Sequence, residues 1–70
     1  MPDNMLFIRQ GILIILRKEG PMERAALTER VIEQMQIGDL VQYIDSTLNV
    51  MIGTNNILLD EDGKLYTNTS

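Results

Sequence analysis

The stretch GDLVQYIDSTLNVMIGTNNILLDEDGKLYT, residues 38–67, decides how the rest of the chain is read. Leu40, Val41, Ile44, Leu48, Met51 and Ile52 recur at the spacing of one helix face, with Tyr43, Thr47 and Val50 along one edge of it. Asp39 stands where an N-cap belongs and Gly53 where such a helix stops. A helix is therefore predicted from Asp39 to about Ile52, with Gln42, Asp45, Ser46 and Asn49 facing outward. Thr54-Asn55-Asn56 reads as loop and Ile57-Leu58-Leu59 as a strand. Asp60-Glu61-Asp62-Gly63 is a turn, its glycine placed where positive φ is wanted, and Lys64-Leu65-Tyr66-Thr67 returns as a second strand.

Toward the N-terminus, a second helix is predicted from Glu23 or Arg24 to Gln36. Leu27, Val31 and Met35 share one side, Thr28 and Ile32 flank it, and Glu29, Arg30 and Glu33 make a solvated face. Gly38 ends this helix or forms the turn after it. Gly20-Pro21-Met22 is a short extended connection, because proline biases the residue before it away from helix. The first helix is predicted from an Asp3 cap to about Lys18, stopped by Gly20 and Pro21. At about 100° per residue, Met5, Ile8, Ile12, Ile15 and Leu16 gather on its core side, with Leu13 beside them. Phe7 and Ile14 fall nearly opposite, with Gly11 between them. A helix apolar on two sides packs against something on each. Either Phe7 and Ile14 are covered by the tail or the hairpin, or Phe7, Gly11 and Ile14 form a second contact surface for a dimer or protein partner, the missing side chain at Gly11 letting another helix approach.

Seventy residues make a single domain, residues 1–70, with an ordered core over about 4–67 and a frayed end at 68–70. One core of this size supplies only about 3–5 kcal/mol, so such chains often rely on a staple or a partner. The chain has no cysteine and no histidine, which rules out disulfides and removes the usual zinc ligands. The longest apolar run, Ile12 to Leu16, is far short of the roughly 20 residues of a membrane span. No segment has the pattern of a secretory signal, so a cytoplasmic chain with no membrane partner is expected, and Asn68-Thr69-Ser70 is a chance glycosylation triplet.

Charge is distributed unevenly within the net −4. Residues 1–30 hold Arg9, Arg17, Lys18, Arg24 and Arg30 against Asp3, Glu19, Glu23 and Glu29. Residues 31–63 hold no Lys or Arg against Glu33, Asp39, Asp45, Asp60, Glu61 and Asp62. No Gly-rich phosphate loop is present and so short a chain has no room for a deep pocket, so no enzyme, catalytic residue, cofactor or small-molecule substrate is expected. Asp60-Glu61-Asp62-Gly63 has part of a calcium loop's composition, but Lys64, Leu65 and Tyr66 follow where ligands should continue, so no metal site is expected either. Phe7, Tyr43 and Tyr66 are too few for a base-stacking platform.

The order helix, helix, helix, hairpin resembles the winged helix-turn-helix superfamily. The resemblance is carried by Ile12-Leu13-Ile14-Ile15-Leu16-Arg17-Lys18-Glu19-Gly20-Pro21, by Leu27 to Ile32, and by Leu40 to Ile52 feeding Asn56 to Tyr66. It covers about residues 5–67 and rests on a pattern of elements and turn chemistry rather than an invariant motif. It implies an α+β, mainly helical fold of three helices followed by a C-terminal hairpin wing, with a brief strand near Gly20-Pro21-Met22 pairing with that hairpin. It further implies that the third helix is a recognition helix, with Gln42, Asp45, Ser46 and Asn49 on its outer face. The wing tip would comprise Asp60, Glu61, Asp62, Gly63 and Lys64. The chain departs from the DNA-binding pattern here: affinity for DNA comes chiefly from Lys and Arg on phosphates, whereas this helix and wing are acidic.

Three functions follow as expectations. The first is a non-enzymatic winged-helix module acting through protein–protein contacts, as a homodimer or docked on transcription or replication machinery. The second is a dimeric DNA-binding transcriptional regulator using Arg9, Arg17, Lys18, Arg24 and Arg30 as phosphate contacts. The third is an acidic decoy presenting a DNA-like charge surface. The first fits the two-sided first helix and the acidic hairpin best.

Overall fold

The computed structural model describes residues 4–36 and 41–68. Helix α1 spans Asn4–Glu19, strand β1 Met22–Glu23, helix α2 Arg24–Met35, helix α3 Val41–Gly53, strand β2 Ile57–Leu59 and strand β3 Lys64–Thr67. The arrangement is α+β and mainly helical, with three helices and a three-stranded antiparallel sheet ordered β1-β3-β2. Met22 lies opposite Leu65 and Glu23 opposite Lys64, while Ile57, Leu58 and Leu59 face Thr67, Tyr66 and Leu65.

Helix α1 organises the core. It packs on α3, α2 and β3 at once, because Ile8, Ile12, Ile15 and Leu16 recur every third or fourth position and point to one side. They meet Leu27 and Val31 of α2, Ile44, Leu48 and Met51 of α3, Ile57 of β2 and Leu65 of β3. The helix ends where expected: Gly20 adopts φ +88° and its N–H bonds the Leu16 carbonyl at 2.9 Å, a left-handed cap followed by Pro21.

Several boundaries differ from the sequence reading. Helix α2 stops at Met35 because Gln36 itself takes the left-handed conformation (φ 53°, ψ 46°), its N–H bonded to the Ile32 carbonyl. Gly38, Asp39 and Leu40 lie outside the described residues, as does the Asp3 cap of α1. On α3 the buried sector is rotated toward Thr47, which is buried, and away from Val41, which is exposed. Thr47 tolerates this because its hydroxyl donates to the Tyr43 carbonyl one turn earlier. Asn68 is not frayed: its N–H donates to the Asn56 carbonyl at 3.1 Å and its Nδ2 to the Asn55 carbonyl at 2.8 Å.

Candidate functional site

The side of α1 turned away from the core carries the first candidate surface. Phe7 is 57% and Ile14 61% exposed, so neither the hairpin nor the described part of the tail covers them. The reason is geometric: the sheet meets α1 through β3, on the side of the buried isoleucines. Beside Phe7 and Ile14 runs an open groove of about 390 Å³ between α1 and the end of α2, lined by Gln10 and Gly11 on one wall and Gln34 and Met35 on the other. Gly11 does admit a neighbouring helix, but that helix is α2 of the same chain. A Cβ at Gly11 would overlap the Met35 sulfur and come within 3.1 Å of its methyl carbon. The gap anticipated for a foreign helix is thus filled from within by Met35, and Gly11 lines the groove without leaving an empty notch. Gln34 carries no sequence signal that would have placed it here. Met35 was legible only as an apolar residue one turn after Val31.

The outward residues of α3 form the second surface. Gln42, Asp45, Ser46 and Asn49 are all exposed. Two of the four are engaged by Arg24, whose Nη2 pairs with the Asp45 carboxylate and also donates to the Asp45 carbonyl at 3.1 Å and to Asn49 Oδ1 at 3.0 Å. Arg24 opens α2, where a cation opposes the helix dipole, and Glu23 before it makes no side-chain cap bond. Asp45 offsets that unfavourable placement from α3. The pairing spans 21 positions and could not be read from residue spacing along the chain.

Of the five cations expected to contact phosphate, three have partners within the chain. Arg24 is held by α3, and Arg9 Nη2 donates to Asn56 Oδ1 at 3.2 Å. Arg30 grips Glu19 through Nε (3.0 and 3.1 Å) and Nη2 (2.7 Å), and reaches Glu33 at 3.3 Å. Arg17 and Lys18 are exposed on the last turn of α1, suited to its dipole, and make no ion pair among the described residues.

The hydrogen bonds from Arg30 hold the Glu19 carboxyl below the ordinary glutamate range, against a smaller opposing effect of desolvation, and Glu19 in turn raises the Arg30 guanidinium. A carboxylate whose pKa is depressed on folding stabilises the fold above its unfolded value, and that contribution is lost as pH falls through the lowered one. The urea midpoints of the wild-type chain and Glu19→Gln should therefore differ near neutrality and converge in acid below the ordinary glutamate range. A gap that persists unchanged in acid would show that the pair contributes nothing through charge.

At the hairpin tip, Asp60 is used by the backbone. Its Oδ1 accepts the N–H groups of Asp62 (2.9 Å) and Lys64 (2.8 Å), and Gly63, at φ +79°, donates to the Asp60 carbonyl. Glu61 and Asp62 remain exposed, and Lys64 sits across the sheet from Glu23. Asp60→Ala should lower stability by about 1–2 kcal/mol, the usual cost of losing such a cap, read as a lower urea midpoint.

Among the described residues no group of three or more Asp or Glu is placed to hold a metal ion, and no helix is long and apolar enough to cross a membrane. No family model, no curated protein and no solved structure matches the chain.

Proposed function

We propose that the chain is a small non-enzymatic module of the winged-helix type that works through protein–protein contacts on the outer face of α1. The observation that carries this is the joint exposure of Phe7 and Ile14 beside an uncharged groove, a placement with no role in the core. The element order and the pairing of β1 with the hairpin support the winged-helix part of the reading, with α3 in the place of the recognition helix and β2–β3 in that of the wing. Its acidic tip, Asp60, Glu61 and Asp62, is better suited to a protein surface than to phosphates.

Solution mass measured by sedimentation or light scattering, across protein concentration and salt, tests the proposal. Apolar association should hold as salt rises, and Phe7→Asp combined with Ile14→Asp should abolish it. Association that dissolves with salt would point to charge instead, and away from this face.

A second reading, a dimeric DNA-binding regulator, is favoured by one observation: Arg24 neutralises Asp45, leaving Gln42 and Ser46 open on α3 beside a reduced negative charge. Arg17 and Lys18 are the cations it would have to use. Binding to a labelled duplex would then weaken steeply with salt. No binding even at low salt ends that reading.

A further inference from the structure

We propose that a cleft between α1 and α3, separate from the groove beside Phe7 and Ile14, binds a short aliphatic carboxylate. Met5, Leu6 and Arg9 supply its α1 wall, and Val50 and Met51 its α3 wall. They meet there because Leu6 and Arg9 are three positions apart on one helix, so both lie on the side turned to α3. The cleft holds about 200 Å³, room for about seven water-sized groups at about 30 Å³ each. That is the size of a small amphiphile and too little for a helix.

Arg9 gives the cleft its selectivity. The residue is half-buried, and its Nη2 donates to Asn56 Oδ1 at 3.2 Å. Asn56 is itself held: its Nδ2 donates to Thr54 Oγ1 at 2.7 Å, and that hydroxyl donates to the Val50 carbonyl at 2.9 Å. An uncharged amide therefore fixes the guanidinium in place without neutralising it. Arg24 and Arg30, by contrast, are each neutralised by a carboxylate. The donors on Nε and Nη1 of Arg9 have no partner among the described residues, and paired guanidinium N–H groups match the two oxygens of a carboxylate.

No acid lines the cleft. Glu19 sits at the far end of α1 with Arg30, and Asp45 is held by Arg24. Glu23, Glu29 and Glu33 belong to β1 and α2, neither of which lines the cleft. Asp60, Glu61 and Asp62 follow β2 at the hairpin tip, whereas Asn56 precedes it. The walls select the rest of the ligand: Leu6 is 48% and Val50 52% exposed, apolar surface that an alkyl tail would cover. A wholly apolar ligand would desolvate Arg9 without pairing it, and a bare inorganic anion would leave the walls wet. The net charge of −4 opposes any anion at long range, so binding is expected in the millimolar range.

The test is a heteronuclear NMR titration of the full chain with hexanoate, hexanamide and acetate. Hexanoate should give saturable shifts centred on Leu6, Val50 and the side-chain signals of Arg9 and Asn56. Hexanamide lacks the charge and acetate the tail, so each should bind at least about tenfold more weakly. Arg9→Gln, with its fold checked by circular dichroism, should lose a similar factor; if that variant does not fold, the three ligands on the wild type decide alone. Hexanamide binding as well as hexanoate overturns the proposal, because the cleft then reads no charge. So does the absence of saturable shifts at tens of millimolar hexanoate. A peptide ending in a free leucine carboxylate that binds where hexanoate fails also overturns it, making the occupant a chain terminus. None of these outcomes bears on Phe7 and Ile14, whose face is judged by solution mass.

Discussion

Ile12→Ala is expected to leave the chain largely unfolded at room temperature. Ile12 is fully buried near the middle of α1, the helix that packs on both other helices and on the central strand. Deleting a buried isoleucine down to alanine costs about 2–5 kcal/mol, the removed surface and the cavity left behind adding together. A single core in a chain of this size supplies only about 3–5 kcal/mol, so the loss is comparable to the whole stability. Far-UV circular dichroism with a urea titration measures it. Ile14→Ala is the matched control, two positions along the same helix but 61% exposed. At concentrations where the chain is monomeric, it should shift stability by no more than about 0.5 kcal/mol. Equal costs at the two positions would mean that α1 is turned about its axis relative to this description.

Gly11 gives the second large effect, and its sign depends on the replacement. An added Cβ runs into the side-chain end of Met35, which is flexible and can move. Gly11→Ala should therefore come out near neutral or slightly stabilised, because alanine is worth about 1 kcal/mol over glycine in a helix interior. Gly11→Val branches at Cβ, so it adds two γ carbons at a point where the Cβ alone already runs into Met35. Overpacking of that kind costs about 1–3 kcal/mol, and the urea midpoint should fall while that of Gly11→Ala holds or rises. If valine is tolerated as well as alanine, α1 and α2 are not in close contact at this point.

Much of the fold was legible because its strongest signals are local. Ile8, Ile12 and Ile15, and Ile44, Leu48 and Met51, sit at the spacing that turns a helix face inward, and all six are buried. Gly20 and Gly63 stand where left-handed backbone is required, and both adopt it. The end of α2 was less legible, since Gln36 takes a cap conformation that its side chain does not favour. At the candidate surfaces, periodicity alone identified Phe7 and Ile14 as off the core side, but whether another segment covered them depended on where the sheet lands. The Arg24–Asp45 and Arg30–Glu19 pairs join residues from different elements, and no pattern along the chain specifies such partners. Gly11 shows the same limit: its openness to a helix could be read, but not which helix would take the space.

The strand order carries a consequence for how the molecule is made. Strand β3 is the middle of the sheet, and both β1 and β2 pair only with it. It is also the last of the three to be synthesised. Until Lys64 to Thr67 exist, Met22 and Glu23 have no ladder to join, although more than half of the chain has already been built by then. The nascent chain can develop helical turns as it emerges, but the Met22–Leu65 pairing must bridge more than half of the chain, the kind of distant contact that slows folding. Translation arrested before β3 would therefore yield helices without a sheet, with Ile57 and the side of α1 that packs on β3 still exposed to whatever binds apolar surface first.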